Sequence, residues 1–274
     1  MDQHRTRLAF LYSVPISLLG GLIGLGGAEF RLPVLAGPLG YSLRQAVPLN
    51  LAVSLVTLIV SLIIRSRILT FAGLEPFIPA ILTLIVGAVV GAFFGTALAH
   101  RLSSQRLEHV IPALLVMIGM GLIAEGFLPQ EIPALLPGSL GWHIGAGLFI
   151  GLGIGLVSSL LGVAGGELII PTLIFAFGVD IKLAGTGSLF VSLPTVLVGL
   201  VRYASRGAFA ERRTALETIV PMSLGSVIGA IAGGLLVGVI PAAVLKVALG
   251  VILNISAFRI LRRAGSRQSQ MERA

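Results

Sequence analysis

The sequence predicts an all-α integral membrane protein of two homologous repeats, with about eight membrane helices plus a broken helix or half-helix in each repeat. Three observations carry this. Of 274 residues, 56% are hydrophobic and 11% charged, with mean hydropathy +1.04, whereas a soluble domain carries about 25% charge. Uncharged runs near the roughly 20 residues that cross a bilayer recur, at 8–28, 45–64, 76–99, 144–166, 183–201 and 218–245, with weaker ones at 110–124 and 241–260. Finally, the stretch Gly24-Leu25-Gly26-Gly27-Ala28-Glu29-Phe30-Arg31-Leu32-Pro33 has a counterpart 138 residues on, Gly162-Val163-Ala164-Gly165-Gly166-Glu167-Leu168-Ile169-Ile170-Pro171.

The register of this match persists. Gly40 falls on Gly178, Ala46 on Ala184, Val53-Ser54-Leu55 on Val191-Ser192-Leu193, and Gly87, Gly91 and Gly95 on Gly225, Gly229 and Gly233. The boundaries that follow are a first transmembrane repeat at 1–127, a proline-containing linker at 128–141, a second repeat at 142–261 and a polar tail at 262–274.

Residues 8–23 read as a helix broken by the glycine cluster, since clustered glycines weaken a helix by about 1 kcal/mol each relative to alanine. The piece at 29–39 would reach only about 18 Å as a helix, short of a core about 30 Å thick, and so reads as a half-helix. Pro33 and Pro171 suit the first turn of a helix or kink one already begun. Residues 45–64, 76–99 and 107–127 are three ordinary spans. The second repeat follows the same plan, with a helix at 142–161, a half-helix at 167–177, a turn at Gly178-Val179-Asp180, and spans at 183–201, 216–237 and 241–260. Arg5 and Arg7 before an apolar run imitate a signal peptide, but the counterpart run is internal, so a retained N-terminus is expected.

Basic residues cluster at the edges of apolar runs, as in Arg5/Arg7, Arg65/Arg67, Arg202 to Arg213 and Arg259 to Arg273, the positive-inside pattern. The net charge of +8 is therefore read as topology, and nucleic acid is not an expected partner. Whether the repeats are parallel or inverted depends on whether the broken segment turns back. The linker has no lysine or arginine and fits the outside, which favours inversion and a cytoplasmic C-terminus. There is no cysteine, hence no disulfide or thiol chemistry.

The glycine clusters are not followed by Lys-Ser/Thr and do not read G-x-G-x-x-G, so they are no nucleotide loop. Breaks at corresponding places of two repeats instead point to a transporter's binding site, where half-helix N-termini face an anion. Charged residues at such depth are costly and suggest function. The candidate pathway residues are Gly26, Gly27, Glu29, Arg31 and Asn50 in the first repeat, and Gly165, Gly166, Glu167, Thr186 and Ser188 in the second. Arg31 would hold the anion, with Ile169 at the matching position making the site asymmetric. Glu167, with no basic neighbour in its half-helix, is the expected proton carrier, and Glu29 is expected to hold Arg31. Asn50, Thr186 and Ser188 either line a cavity or cap and pack their helices. The small-xxx-small glycines, including Gly147, Gly151 and Gly155, read as packing surfaces. No metal ligand set, cofactor motif or nucleophile–base pair is evident.

The paired G-x-G-G…P motifs, Gly24-Leu25-Gly26-Gly27…Pro33 and Gly162-Val163-Ala164-Gly165-Gly166…Pro171, resemble the TauE/SafE sulfite exporter family, as do the stretch from Gly178 to Ser188 and the length. The resemblance covers essentially the whole chain. It departs at Ala28, where a third glycine is usual, at Ala164 and at Arg31, a typically apolar slot. It implies a polytopic inner-membrane protein that moves sulfite, sulfoacetate or sulfonates. A secondary transporter of small sulfur-containing anions, coupled to an ion or proton, is the expectation. An anion channel is the closest rival and an intramembrane enzyme the different-class alternative. The expected partners are the anion and the lipid bilayer, and a homo-oligomer is compatible with the sequence.

Overall fold

In the computed structural model, residues 3–98, 116–117, 119–124, 126–127, 134–209 and 212–271 are described, and their regular structure is helical throughout. The elements are α1 (Gln3–Ile23), α2 (Ala28–Ala36), α3 (Leu43–Ile68), α4 (Ile78–Leu98), α5 (Leu140–Leu161), α6 (Gly166–Pro171), α7 (Ile181–Ser205), α8 (Arg212–Leu236) and α9 (Ala242–Met271). A 3₁₀ segment, Phe71–Phe77, leads into α4. Among the described residues, six helices are long and apolar enough to cross a membrane. The expected span at 107–127 lies largely outside them. The apolar part of α9, Ala242–Ile255, is shorter than a span, and this helix runs on into the polar stretch as far as Met271.

The described residues form two compact units, one within 1–99 and 134–239, the other within 100–133 and 240–274. In the smaller, the turns around 119–127 cross α9 antiparallel, with Gly119 against Gly250 and Gly126 against Val247. The larger unit combines helices from both sides of the 128–141 linker and holds every candidate site residue.

Both glycine clusters break their helices in the same way. α1 ends where Gly24 takes φ +97° and α5 where Gly162 takes φ +68°. The Leu25 N–H then donates to Gly20 O at 3.0 Å, and the Val163 N–H to Ser158 O at 3.1 Å. A 6→1 bond behind a left-handed glycine is the Schellman closure, which satisfies one of the carbonyls that a helix end leaves free. Gly27 (φ +74°) and Gly165 (φ +81°) then open α2 and α6. Pro33 lies within α2. Pro171 ends α6, and a single π turn, Thr172–Ala176, follows it. Proline lacks the N–H that the α ladder needs, and a π turn is one way to absorb the misfit.

α2 runs back towards the start of α1, since Arg5 donates to Leu39 O. α3 then runs parallel to α1: Ser17 pairs with Thr57, and Arg65 with Gly21 and Leu22. α3 and α7 are antiparallel, because Arg65 meets Thr186 near the start of α7 while Leu51 meets Gly199 towards its end. Asp180 caps α7, accepting from the Lys182 N–H at 2.9 Å, and the Ser42 N–H donates to Gln45 Oε1 ahead of α3, both standard N-terminal devices.

The glycine stripes pack α4 on α5 and α8 on α1. Gly87, Gly91 and Gly95 meet Leu148, Leu152 and Leu156, while Gly225, Gly229 and Gly233 meet Phe10, Val14 and Leu18. Both interfaces run parallel, and each contact has its counterpart at the 138-residue offset. The outer faces correspond as well: Ile78, Leu82, Val86 and Val90 are exposed on α4, and Leu216, Val220, Leu224 and Ile228 on α8. Exposed apolar stripes around buried polar residues are what a lipid surround demands.

A sequence expectation fails at Arg65. Placed among span-edge cations by its position, it is fully buried and donates to the backbone oxygens of Gly21, Leu22 and Lys182 and to Thr186 Oγ1. The break in α1 leaves C-terminal carbonyls without intrahelical partners, and a cation there satisfies them and the helix dipole together. Asn50 performs the linking role at the breaks themselves. Its Nδ2 donates to Ala28 O and to Gly162 O, each at 2.9 Å, tying the start of α2 to the end of α5.

Two stability predictions follow from this packing. A side chain at Gly91 or Gly229 would overlap the carbonyl of Leu152 or Val14, whereas Gly153 has nothing within 4 Å. Gly91→Leu and Gly229→Leu should each lower stability by about 1–3 kcal/mol or more, read as a fall in the thermal midpoint of detergent-purified protein, while Gly153→Ala should hold or raise it. Asn50→Ala should lower the midpoint through two lost buried bonds, about 1–3 kcal/mol. Ser188→Ala, at the matching position but with a hydroxyl that has no partner among the described residues, should barely change it.

Candidate functional site

The site is built where α2 starts. Arg31 lies just beyond the Gly24–Gly27 break and is fully buried. Its Nη1 donates to Ser54 Oγ at 2.9 Å and Asn50 Oδ1 at 3.5 Å. Its Nη2 donates to Ser17 Oγ at 3.0 Å, Thr57 Oγ1 at 3.1 Å, Gly26 O at 3.4 Å and Ser226 Oγ at 3.5 Å. A second layer supports this shell: Ser13 donates to Met222 O, and Ser226 lies 2.7–2.8 Å from Ser13 and Ser17. Four elements, α1, α2, α3 and α8, therefore meet on one guanidinium.

Every one of these partners is electrically neutral, and Arg31 Nε has none. The expected hold of Glu29 on Arg31 is not a hydrogen bond: both Glu29 carboxylate oxygens are buried without a hydrogen-bond partner among the described residues, and the two charges act on each other only electrostatically. The helix explains this. Residues i and i+2 project from different faces, so Glu29 and Arg31 diverge within α2. Glu29 consequently shares no hydrogen bond with Glu167 either, which is itself buried on the first turn of α6.

Of the other predicted positions, Gly26 and Asn50 join the Arg31 shell directly. Gly27 stands against Ile16, and Gly165 against Ser158 and Ile154. Gly166 lies against Leu25 of the opposite break, with Ser188 Oγ 3.2 Å from where its Cβ would stand. The two breaks thus cross, with Gly26 near Ala164 and Gly166 near Leu25. Thr186 is not part of this cluster: it donates to Lys182 O and accepts from Arg65.

The second half keeps only the α7 part of the polar shell, Ser188, Ser192 and Thr195. At the positions matching Ser17, Ser226 and Arg31 stand Gly155, Ala88 and Ile169, and Ile169 is fully buried. Ser188 and Ser192, matching Asn50 and Ser54, keep buried hydroxyls without partners among the described residues. Sequence reading missed Ser13, Ser17, Ser54, Thr57 and Ser226. The available signal was spacing: Asn50, Ser54, Thr57, Ser61 and Arg65 recur at three- and four-residue steps and share one face of α3. Among the described residues, no group of three or more His, Cys, Asp or Glu could hold a metal.

A family model described as "Sulfite exporter TauE/SafE" matches the chain over residues 8–211 and again over 147–274. A Bacillus subtilis (strain 168) protein described as "Probable membrane transporter protein YdhB" is 23% identical over 244 residues, covering 88% of this chain and 94% of that protein. No solved structure matches. A membrane-spanning helical chain with a buried arginine at a helix break, matched over most of its length by this model, belongs to the sulfite exporter TauE/SafE family.

Proposed function

We propose that the protein is a secondary transporter of a small oxyanion, of the sulfite or sulfonate class, bound at Arg31 and coupled to proton movement. The observation that carries this is the fully buried guanidinium ligated only by neutral groups. Burying a cation with no carboxylate hydrogen-bonded to it is costly, and a site that tolerates it is matched to an anion that arrives and leaves. Arginine's planar fork suits two oxygens of one sulfur centre. Family membership supports the substrate class.

In this reading the halves are inverted repeats. Supporting it are the antiparallel run of α3 and α7, the matched contacts at the 138-residue offset, and a second family match that starts 139 residues after the first. Fourteen of the 19 Lys/Arg then fall on the side where α1 starts and three on the other, with the buried Arg31 and Arg65 set apart. By the positive-inside rule both termini are cytoplasmic, in an inner membrane. The crossed breaks form the midplane around which the halves rock. Glu167 carries the proton. It is buried, lies beside the crossing, and has no basic residue within its half-helix.

A channel would use the same arginine without proton coupling, and the pH response separates the two. In proteoliposomes, Arg31→Ala should weaken binding of labelled sulfite by at least about tenfold. Glu167→Gln should leave binding in place while flattening the pH dependence of flux, and an unchanged pH profile would remove Glu167 from the role. Single cysteines in this cysteine-free chain should label from outside near Glu131 and from the cytoplasm at 202–213; the reverse pattern at Glu131 would overturn the inverted topology.

A further inference from the structure

We infer that Arg65 is a second anion station, reached from Arg31 along the buried polar face of α3 by way of the Ser61 hydroxyl. This rests on the Arg31 reading and extends it from a point to a path. Asn50, Ser54, Thr57, Ser61 and Arg65 are all fully buried and, at three- and four-residue steps, form one stripe. Ser54 and Thr57 already ligate Arg31. From Thr57 to Arg65 the helix rises about 12 Å. Ser61 stands midway, and its Oγ has no hydrogen-bond partner among the described residues.

A hydroxyl at full burial normally finds a partner, because leaving it unmade costs as much as burying a polar group dry. Ser61 needs one that is not a fixed part of the chain, and it lies between two cations. Arg65 has the same character as Arg31. Its partners, Gly21 O, Leu22 O, Lys182 O and Thr186 Oγ1, are all neutral. They occupy four of five guanidinium donors, so its charge is solvated but not neutralised. The opposite walls of the stripe are small or hydroxylic. α1 brings Ser17 to Thr57 and Gly21 to Arg65, and Gly21 packs against Ala230 of α8. An oxyanion leaving Arg31 therefore finds one hydroxyl and then a second guanidinium along a seam without bulky side chains at its α1 wall. Leu58, beside the stripe and equally buried, takes no part in such a path: it packs into an apolar cluster with Ala28, Leu51 and Leu189.

The test uses the full-length chain in proteoliposomes and two thiol reagents of similar size, the anionic 2-sulfonatoethyl and the cationic 2-(trimethylammonium)ethyl methanethiosulfonate. Ser61→Cys should react with the anionic reagent at least about tenfold faster than with the cationic one, after normalising to a free thiol in solution. Leu58→Cys should stay unlabelled. Adding Arg65→Gln to Ser61→Cys should bring the ratio to about one, and adding Arg65→Lys should retain part of the preference. If the Arg65 variants fail to fold, Ser61→Cys alone decides. No labelling at Ser61, or no preference for the anionic reagent, overturns the path. Sulfite binding that depends on Arg31, together with a silent Ser61, confines the failure to this inference. An anion preference at Ser61 in a protein whose sulfite binding is indifferent to Arg31 locates it instead in the Arg31 reading.

Discussion

A helix broken inside a hydrocarbon layer leaves backbone N–H and C=O groups that water cannot satisfy, and the rest of this structure depends on meeting that demand. The chain does so with glycine closures at Gly24 and Gly162, with the Asn50 amide bridging to Ala28 and Gly162, and with the Arg65 guanidinium on Gly21 and Leu22. The Asn50 and Arg65 bonds also tie one helix to another. Satisfying the breaks and assembling the core are therefore the same event, and the crossing of the breaks cannot persist once those partners are gone.

The same accounting separates the two arginines from ordinary membrane-edge cations. Neither is bonded to a carboxylate, and both spend their donors on neutral oxygens. The charge therefore remains electrostatically open while its hydrogen bonds are largely met, which lets a site be both stable when empty and attractive to an anion. Glu29, two residues from Arg31, forms no hydrogen bond with it and acts on it only through its charge. The halves differ most at this point, since Ile169 and its glycine and alanine neighbours occupy the matching space.

Much of the larger unit was legible because glycine clusters in an apolar chain have few physical readings. The breaks at Gly24 and Gly162, the half-helices that follow them and the close approach along Gly87, Gly91 and Gly95 all rest on local properties. The partners did not. Small-xxx-small spacing says that backbones meet but not which ones, so the pairing of α4 with α5 and of α1 with α8 had no local sign. Arg65 was misplaced for the same reason. An arginine closing an apolar run looks like an interface anchor, and the carbonyls it serves lie 43 and 44 residues earlier. The serines around Arg31 were overlooked because a buried hydroxyl on an apolar helix is nearly silent by composition. Their role shows only once α1, α3 and α8 are brought together.

The parallel pairing of α1 with α8 has a consequence for how the chain is made. Ser13 and Ser226 are hydrogen-bonded across 213 residues, so α1 finds its main neighbour only after that much more chain has been made. Until then Ser13 and the rim of α1 that receives Gly225, Gly229 and Gly233 have no native cover. Contacts so distant in sequence form late and leave intermediates exposed. The nascent chain must therefore shelter α1, and with it the seat of Arg31, beside the insertion machinery until α8 has been inserted. The polar shell of Arg31 is incomplete until Ser226 arrives.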